Sequence, residues 1–150
     1  MVSRQSIDGF VSGKTLAMVG ISASGKGFGN DAYKELKARG YRVLPVHPAA
    51  ERVQGDPCWP SLAALPEKVE RLLVMVAPAQ AEAVVREAAA AGVRRVWLQQ
   101  GAASPTAIEF CKSSGLDVIH GHCILMFAEP VASFHKFHRW IWELIGKAPK

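Results

Sequence analysis

The chain has 150 residues, 49% of them hydrophobic and 21% charged. That balance supports one packed domain and excludes an intrinsically disordered chain. The formal net charge is +5, placed as about +4 over residues 1–42, about +3 over residues 136–150 and about −2 between them. No dense Lys/Arg run interleaved with aromatics accompanies this excess, so nucleic acid is not an expected partner.

The longest apolar stretches, such as Leu72 to Pro78, are too short to cross a bilayer as a helix. The opening MVSRQSIDGF carries Asp8 and lacks the apolar core of a secretory signal. The expected compartment is the cytosol. Cysteines stand at 58, 111 and 123 with no CxxC pair, which favours free thiols over a disulfide framework or a zinc ribbon.

Taken in chain order, Thr15 to Ile21 (TLAMVGI) predicts a buried strand closed by a Gly/Ser-rich turn. Asn30 to Arg39 predicts a helix, with Gly40 as its stop, and Tyr41 to Val46 a second strand. Asp56 to Leu65 is a Pro-rich connection with one helical turn after Ser61. Arg71 to Ala77 is apolar on both faces, as an interior parallel strand is. Pro78 then opens a helix that runs through Ala79 to Ala91 and stops at Gly92. Val93 to Leu98, Ser104 to Ser113 and Leu116 to Ile119 supply a fourth strand, a helix and a fifth strand. A last helix is predicted over 131–146.

Strands alternating with helices through short loops define an α/β class: a Rossmann-like, doubly wound parallel five-stranded sheet with helices on both faces, expected in the order 3-2-1-4-5. Ligands in such sheets lie beyond the carboxyl ends of the strands, where strand order reverses. That rule selects the loops 20–30, 46–50, 77–80, 99–103 and 120–124.

The first of these, Gly20 to Asn30 (GISASGKGFGN), has glycines that admit close backbone approach, a helix start that can hold a phosphate, and Lys26 beside it. Gly20 to Lys26 fits GxxxxGK, but Gly27 stands where a magnesium-binding Ser/Thr belongs, and the third strand ends in Val-Ala-Pro without an aspartate. Nucleoside triphosphate hydrolysis is not expected. The dinucleotide fingerprint GxGxxG is missing too. His47 and Pro48 stand where a nicotinamide enzyme places an acidic residue for the ribose.

GISASGKGFGN, GYRVLPVHP, GDPCWPSLAALP, a Val-Ala-Pro strand end, AGVRRVWLQQGA and a Gly-His-Cys turn follow one another in this order. Together they resemble the stand-alone CoA-binding domain proteins, which are similar to the CoA-binding domain of the succinyl-CoA synthetase alpha subunit. The resemblance covers about residues 7–146. It implies that coenzyme A, or an acyl-CoA, lies across the strand ends. Gly20, Ile21, Ser22, Lys26 and Gly29 of the first loop would then surround its phosphates. Val46, His47 and Pro48 would flank the adenosine, with Ala77 and Pro78 along the adenine. Gln99, Gln100 and Gly101 would approach the pantetheine arm, and Cys123 matches a cysteine of the family's last strand-end turn.

Family members commonly read Asn-Pro-Lys where this chain has His47-Pro48-Ala49. Lys26 or Arg52 would have to replace that lysine at the 3′-phosphate. The second domain of the ligase subunit, with its phosphorylated histidine, has no counterpart in these residues, so the expected role is binding without catalysis. Three alternatives stand beside it. A nucleotide-dependent oxidoreductase or acyl-transfer protein would use Cys123 as an acidified thiol. A metal site would draw on His120, His122, Cys123, His135 and His138. The last helix, with Phe134, Phe137, Ile141, Leu144 and Ile145 on one stripe, could dock on the sheet or form a homodimer or partner contact.

Overall fold

The computed structural model describes residues 3–128. Helix α1 (Arg4–Val11) opens where the Ser3 hydroxyl accepts from the Ser6 N–H, and it buries Ile7 and Phe10 one turn apart. There follow β1 (Thr15–Val19), α2 (Phe28–Ala38) and β2 (Arg42–Val46). Next come the short antiparallel pair β3 (Arg52–Val53) and β4 (Asp56–Pro57), and a 3-10 turn at Leu62–Ala64. The chain continues as β5 (Arg71–Val74), α3 (Pro78–Ala90) and β6 (Arg95–Gln99). It then forms α4 (Pro105–Ser113), β7 (Asp117–His122) and a 3-10 turn at Ile124–Met126. The helix predicted over 131–146, with His135, His138 and its apolar stripe, lies outside the described residues.

Five strands form one parallel sheet in the order β2-β1-β5-β6-β7. Because side chains alternate along a strand, Leu16, Met18, Leu73, Trp97 and Ile119 face one layer, where Phe10 of α1 and Tyr33 and Leu36 of α2 cover them. Ala17, Leu44, Leu72, Val74, Val96 and Leu98 face the other, beneath Ala81, Val85 and Ala88 of α3 and Cys111 of α4. The sheet is doubly wound, as expected. Trp97 is fully buried, meets Phe10 edge to face at 5.4 Å, and donates its indole N–H to the His122 carbonyl at 3.0 Å. Burying a side chain of this kind contributes about 2–3 kcal/mol.

Counted along the chain, the sheet reads 2-1-3-4-5. The third strand pairs with the first, where 3-2-1-4-5 sets it outside the second. The reason is local. Pro45, in the middle of β2, has no N–H for an outer neighbour, and prolines in sheets belong on edge strands. That outer edge is taken by Trp59, which donates its N–H to the Pro45 carbonyl at 3.1 Å and accepts from the His47 N–H at 2.9 Å. β5, apolar on both faces, goes to the interior instead. Strand order still reverses beside β1, so the crevice keeps its expected place.

Two arginines tie the layers together. Buried Arg39 donates to Glu35 at 2.9 Å and to the carbonyls of Leu125 and Ala128 at 2.8 and 2.9 Å. It thereby fastens residues 125–128 to the end of α2. Arg71, at the start of β5, donates to the carbonyls of Phe10 and Gly9 at 2.9 and 3.0 Å and holds the end of α1.

Candidate functional site

A cleft of about 560 Å³ opens at the carboxyl ends of β1, β2 and β5, a size ordinary for small-molecule sites. Val19, Gly20, Ile21 and Ser22 form one wall, and Val46, His47, Pro48 and Pro60 the second. Met75, Val76 and Ala77 form the third, with Gln80, Val84 and Glu87 of α3 above them. A larger hollow of about 770 Å³ lies near α1 and the amino ends of β6 and β7, among Ser6, Asp8, Arg95 and Asp117. The topology favours the first, which sits at the switch point where doubly wound sheets take their ligands.

The first loop is shaped by close approaches. Gly20 has φ +113°, and a Cβ there would stand 2.6 Å from the Met75 carbonyl carbon. A Cβ on Gly29 would stand 2.6 Å from the Gly20 carbonyl oxygen. The start of α2 therefore rests directly on the end of β1. Asn30, 1% exposed, closes the loop: its Oδ1 accepts from the Ser22 N–H and its Nδ2 donates to the Ser22 carbonyl, both at 2.9 Å. The Ser22 and Ser24 hydroxyls pair at 2.8 Å, and Lys26 N–H donates to the Ser24 hydroxyl at 3.3 Å. No side chain caps α2 at Gly27. Its amino end keeps the positive pole of the helix dipole for an anion. Exposed Lys26 reinforces that pole, and Asp31 in the first turn opposes it.

On the second wall, the Nδ1 of His47 accepts from the Ala49 and Ala50 N–H groups at 3.1 and 3.0 Å. An imidazole that accepts at Nδ1 carries its proton on Nε2 when neutral. His47 thus closes the turn through a ring nitrogen, as the side-chain oxygen of an asparagine closes an Asx turn. On the third, Ala77 precedes α3 and Pro78 occupies its first turn, both exposed. Glu87 accepts from the Leu62 N–H at 2.7 Å and fixes the 3-10 turn beside Pro60.

Of the residues singled out in the sequence, the cleft brings together Gly20, Ile21, Ser22, Val46, His47, Pro48 and Ala77. Lys26 belongs to the same loop and Gly29 to the first turn of α2, neither lining the wall, and Pro78 follows directly on Ala77. Gln99, Gln100, Gly101 and Cys123 are not among its lining residues. Gln99 is buried, donates to the Cys123 sulfur at 3.0 Å and accepts from the Ile124 N–H at 3.1 Å, while Gln100 and Gly101 are exposed. Cys123 is 1% exposed, and burial pushes its thiol above the ordinary range.

His120 and His122 are held below the usual imidazole range, chiefly by burial. Among the described residues, no group of three or more His, Cys, Asp or Glu side chains is arranged to hold a metal ion. No helix among them is long and apolar enough to cross a membrane. The sequence reading missed Asn30 as a structural clamp. It also missed Gln80, Val84 and Glu87, whose spacing marks them as one face of a helix.

A doubly wound sheet with a glycine-rich first loop and an apolar cleft at its switch point is the arrangement of a Rossmann-like α/β domain, whose ligands lie at that point. The chain belongs to the CoA binding domain family, whose sequence pattern matches residues 14–129. It is 23% identical over 136 residues to an ADP-forming acetate–CoA ligase of Archaeoglobus fulgidus. That match takes in 84% of this chain and 20% of the ligase, so the chain spans about a fifth of that relative's length. Among solved structures it resembles a conserved hypothetical protein from Pyrococcus furiosus, with 33% identity, TM-score 0.70, and 74% and 96% of the two chains covered. A protein from Thermus thermophilus matches at 30% identity and TM-score 0.72, covering 81% of this chain and 93% of its own.

Proposed function

We propose that the protein binds coenzyme A, or an acyl-CoA, in the cleft at the ends of β1, β2 and β5, and does so as a cytosolic binding protein without catalysing a reaction. The observation that supports this most is the cleft's combination of an apolar body with a glycine-shaped first loop at its side, in a chain of the CoA binding domain family. In this reading the phosphates lie against Gly20, Ser22 and the amino end of α2, with Lys26 as the cation and Gly29 giving the space. Adenine and ribose lie between the Val46-His47-Pro48 turn and Ala77-Pro78, and the His47 Nε2–H supplies a donor. Pantetheine runs out past exposed Gln100 and Gly101, with Gln99 and Cys123 packed beneath. A buried, hydrogen-bonded thiol gives the acyl-transfer alternative little footing. The chain matches only a fifth of the ligase, and ligation is no part of the proposal.

Calorimetric titration of the reduced protein with CoA, dephospho-CoA and NAD tests it. CoA is expected to bind more tightly than both others, with Lys26→Ala weakening CoA by about tenfold, the value of one charge-assisted contact. CoA binding no tighter than NAD would overturn the reading.

A further inference from the structure

Asn30 is held on three sides. Its Oδ1 and Nδ2 bind the N–H and carbonyl of Ser22, both at 2.9 Å, which fixes the amide's plane and its orientation together. Nδ2 also donates, at 3.3 Å, to the Oε1 of Gln54 in the β3–β4 turn. Gln54 has φ +51°, the only positive φ at a non-glycine among the described residues. Left-handed backbone is unfavourable for a glutamine. In return, the Gln54 side chain meets Asn30. The hairpin is anchored on α2 by Asp56, which accepts from the Tyr33 hydroxyl at 2.5 Å and from the Lys37 ammonium.

We propose that Asn30 is a positioning residue for the phosphate-bearing part of the ligand, and that the Gln54 turn sets Asn30, so that the β3–β4 hairpin tunes affinity without touching the ligand. This rests on the cleft being the CoA site. The contacts form an unbroken series. Gln54 holds Asn30, Asn30 holds Ser22, the Ser22 hydroxyl accepts from the Ser24 N–H at 3.1 Å, and Ser24 accepts from the Lys26 N–H. Its last member carries the loop's cation. A loop set in advance spares the ligand the cost of ordering it. No residue of 51–58 lines the cleft, and the Gln54–Asn30 contact is a side-chain link from the hairpin to the first loop.

Gln54→Gly separates this role from a general structural one. Glycine relieves the positive φ, so the urea midpoint is expected to stay level or rise. Loss of the Asn30 contact is expected to weaken CoA and ADP by roughly 3–10-fold, the range of one neutral hydrogen bond. Adenosine, which has no phosphate, is expected to keep its affinity within about twofold. Asn30→Leu, similar in volume, is expected to weaken CoA and ADP by more than about tenfold, with two further hydrogen bonds removed. Unchanged CoA and ADP affinity in Gln54→Gly overturns the proposal, and so does an equal loss for adenosine. Should the wild type bind neither CoA nor ADP, the reading of the cleft fails by itself. Amide hydrogen exchange at Ser22 and Ser24 then decides the positioning role: faster exchange in Gln54→Gly at equal global stability supports it, and unchanged exchange refutes it.

Discussion

Three glycines of the first loop separate two costs that are usually confounded. Gly25 has φ +80° and nothing within 4 Å of a built Cβ, so Gly25→Ala carries backbone strain alone. Gly29 shows no left-handed φ, but its Cβ would press on the Gly20 carbonyl at 2.6 Å, so Gly29→Ala carries crowding alone. Gly20 bears both. Strain at a left-handed position costs about 1–2 kcal/mol, less the roughly 0.5 kcal/mol that alanine returns by restricting the unfolded chain, which leaves about 1 kcal/mol for Gly25→Ala. Crowding costs about 1–3 kcal/mol, of which alanine's better helix propensity returns up to about 1 kcal/mol at Gly29.

At Gly20 neither relief is large and the clash is with backbone, so Gly20→Ala is expected to cost about 3–4 kcal/mol, a large share of a total stability of about 5–15 kcal/mol. That corresponds to a Tm lower by about 10 °C. Urea titration followed by far-ultraviolet circular dichroism, with the slopes compared, measures all three. Gly20→Ala within about 0.5 kcal/mol of Gly25→Ala would refute the close-approach argument, since the two share the strain and differ in the clash.

Arg39→Met is expected to cost about 3 kcal/mol, because it takes a buried guanidinium away from Glu35 and from the Leu125 and Ala128 carbonyls; a change under about 1 kcal/mol in urea titration counts against that role. Gln99→Leu is expected to cost about 1–3 kcal/mol, since it leaves the buried Ile124 N–H without its acceptor. Cys123→Ala removes only a sulfur, and in the same titration it should cost less than Gln99→Leu. Burial pushes the Cys111 thiol from 9.0 up to about 11. The unfolded chain therefore releases this proton first. Stability is complete below pH 9 and falls by about 2–3 kcal/mol as the pH rises to about 11. Cys111→Ala should flatten that part of the stability profile, and an unchanged slope rules the attribution out. Asp56 is held below the usual carboxylate range by Lys37 and Tyr33, so its contribution is present at neutral pH and lost on acidification below about pH 4. Asp56→Asn should remove this acid-side loss in a pH-dependent melting series.

The order of the sheet, expected as 3-2-1-4-5 and found as 2-1-3-4-5, is written in one strand and one residue that point the same way. An apolar third strand asks for neighbours on both sides, and Pro45 denies the second strand an outer one. Read together they place the third strand beside the first. The loops at the switch point followed from the alternation of strands and helices, and so did most of the cleft wall. What stayed hidden depended on the chain folding back. Asn30 stands in plain view within GISASGKGFGN, but its value lies in reaching eight residues back to Ser22 and across to Gln54. The β3–β4 pair is two residues a side, too short for any periodicity to announce it. α1 was missed because Gly9 breaks its apolar pattern, and its two core residues are held by partners distant in sequence. The family resemblance sets Gln99 near the pantetheine arm, whereas the structure packs its side chain on Cys123 and Ile124. Its burial follows from the turn at Cys123, which only the three-dimensional fold brings near.

Pro45 also bears on how copies of this chain meet. Strands of separate molecules join when each offers a row of donors and acceptors along a bare edge. Along β2 that row is broken at Pro45 and covered at Trp59. This is the edge that borders the cleft through Val46, His47 and Pro60. Fusion of two sheets on this side is blocked, and the mouth of the cleft is kept from being sealed by a neighbour's strand. The guard is an imino acid that does not itself line the cleft.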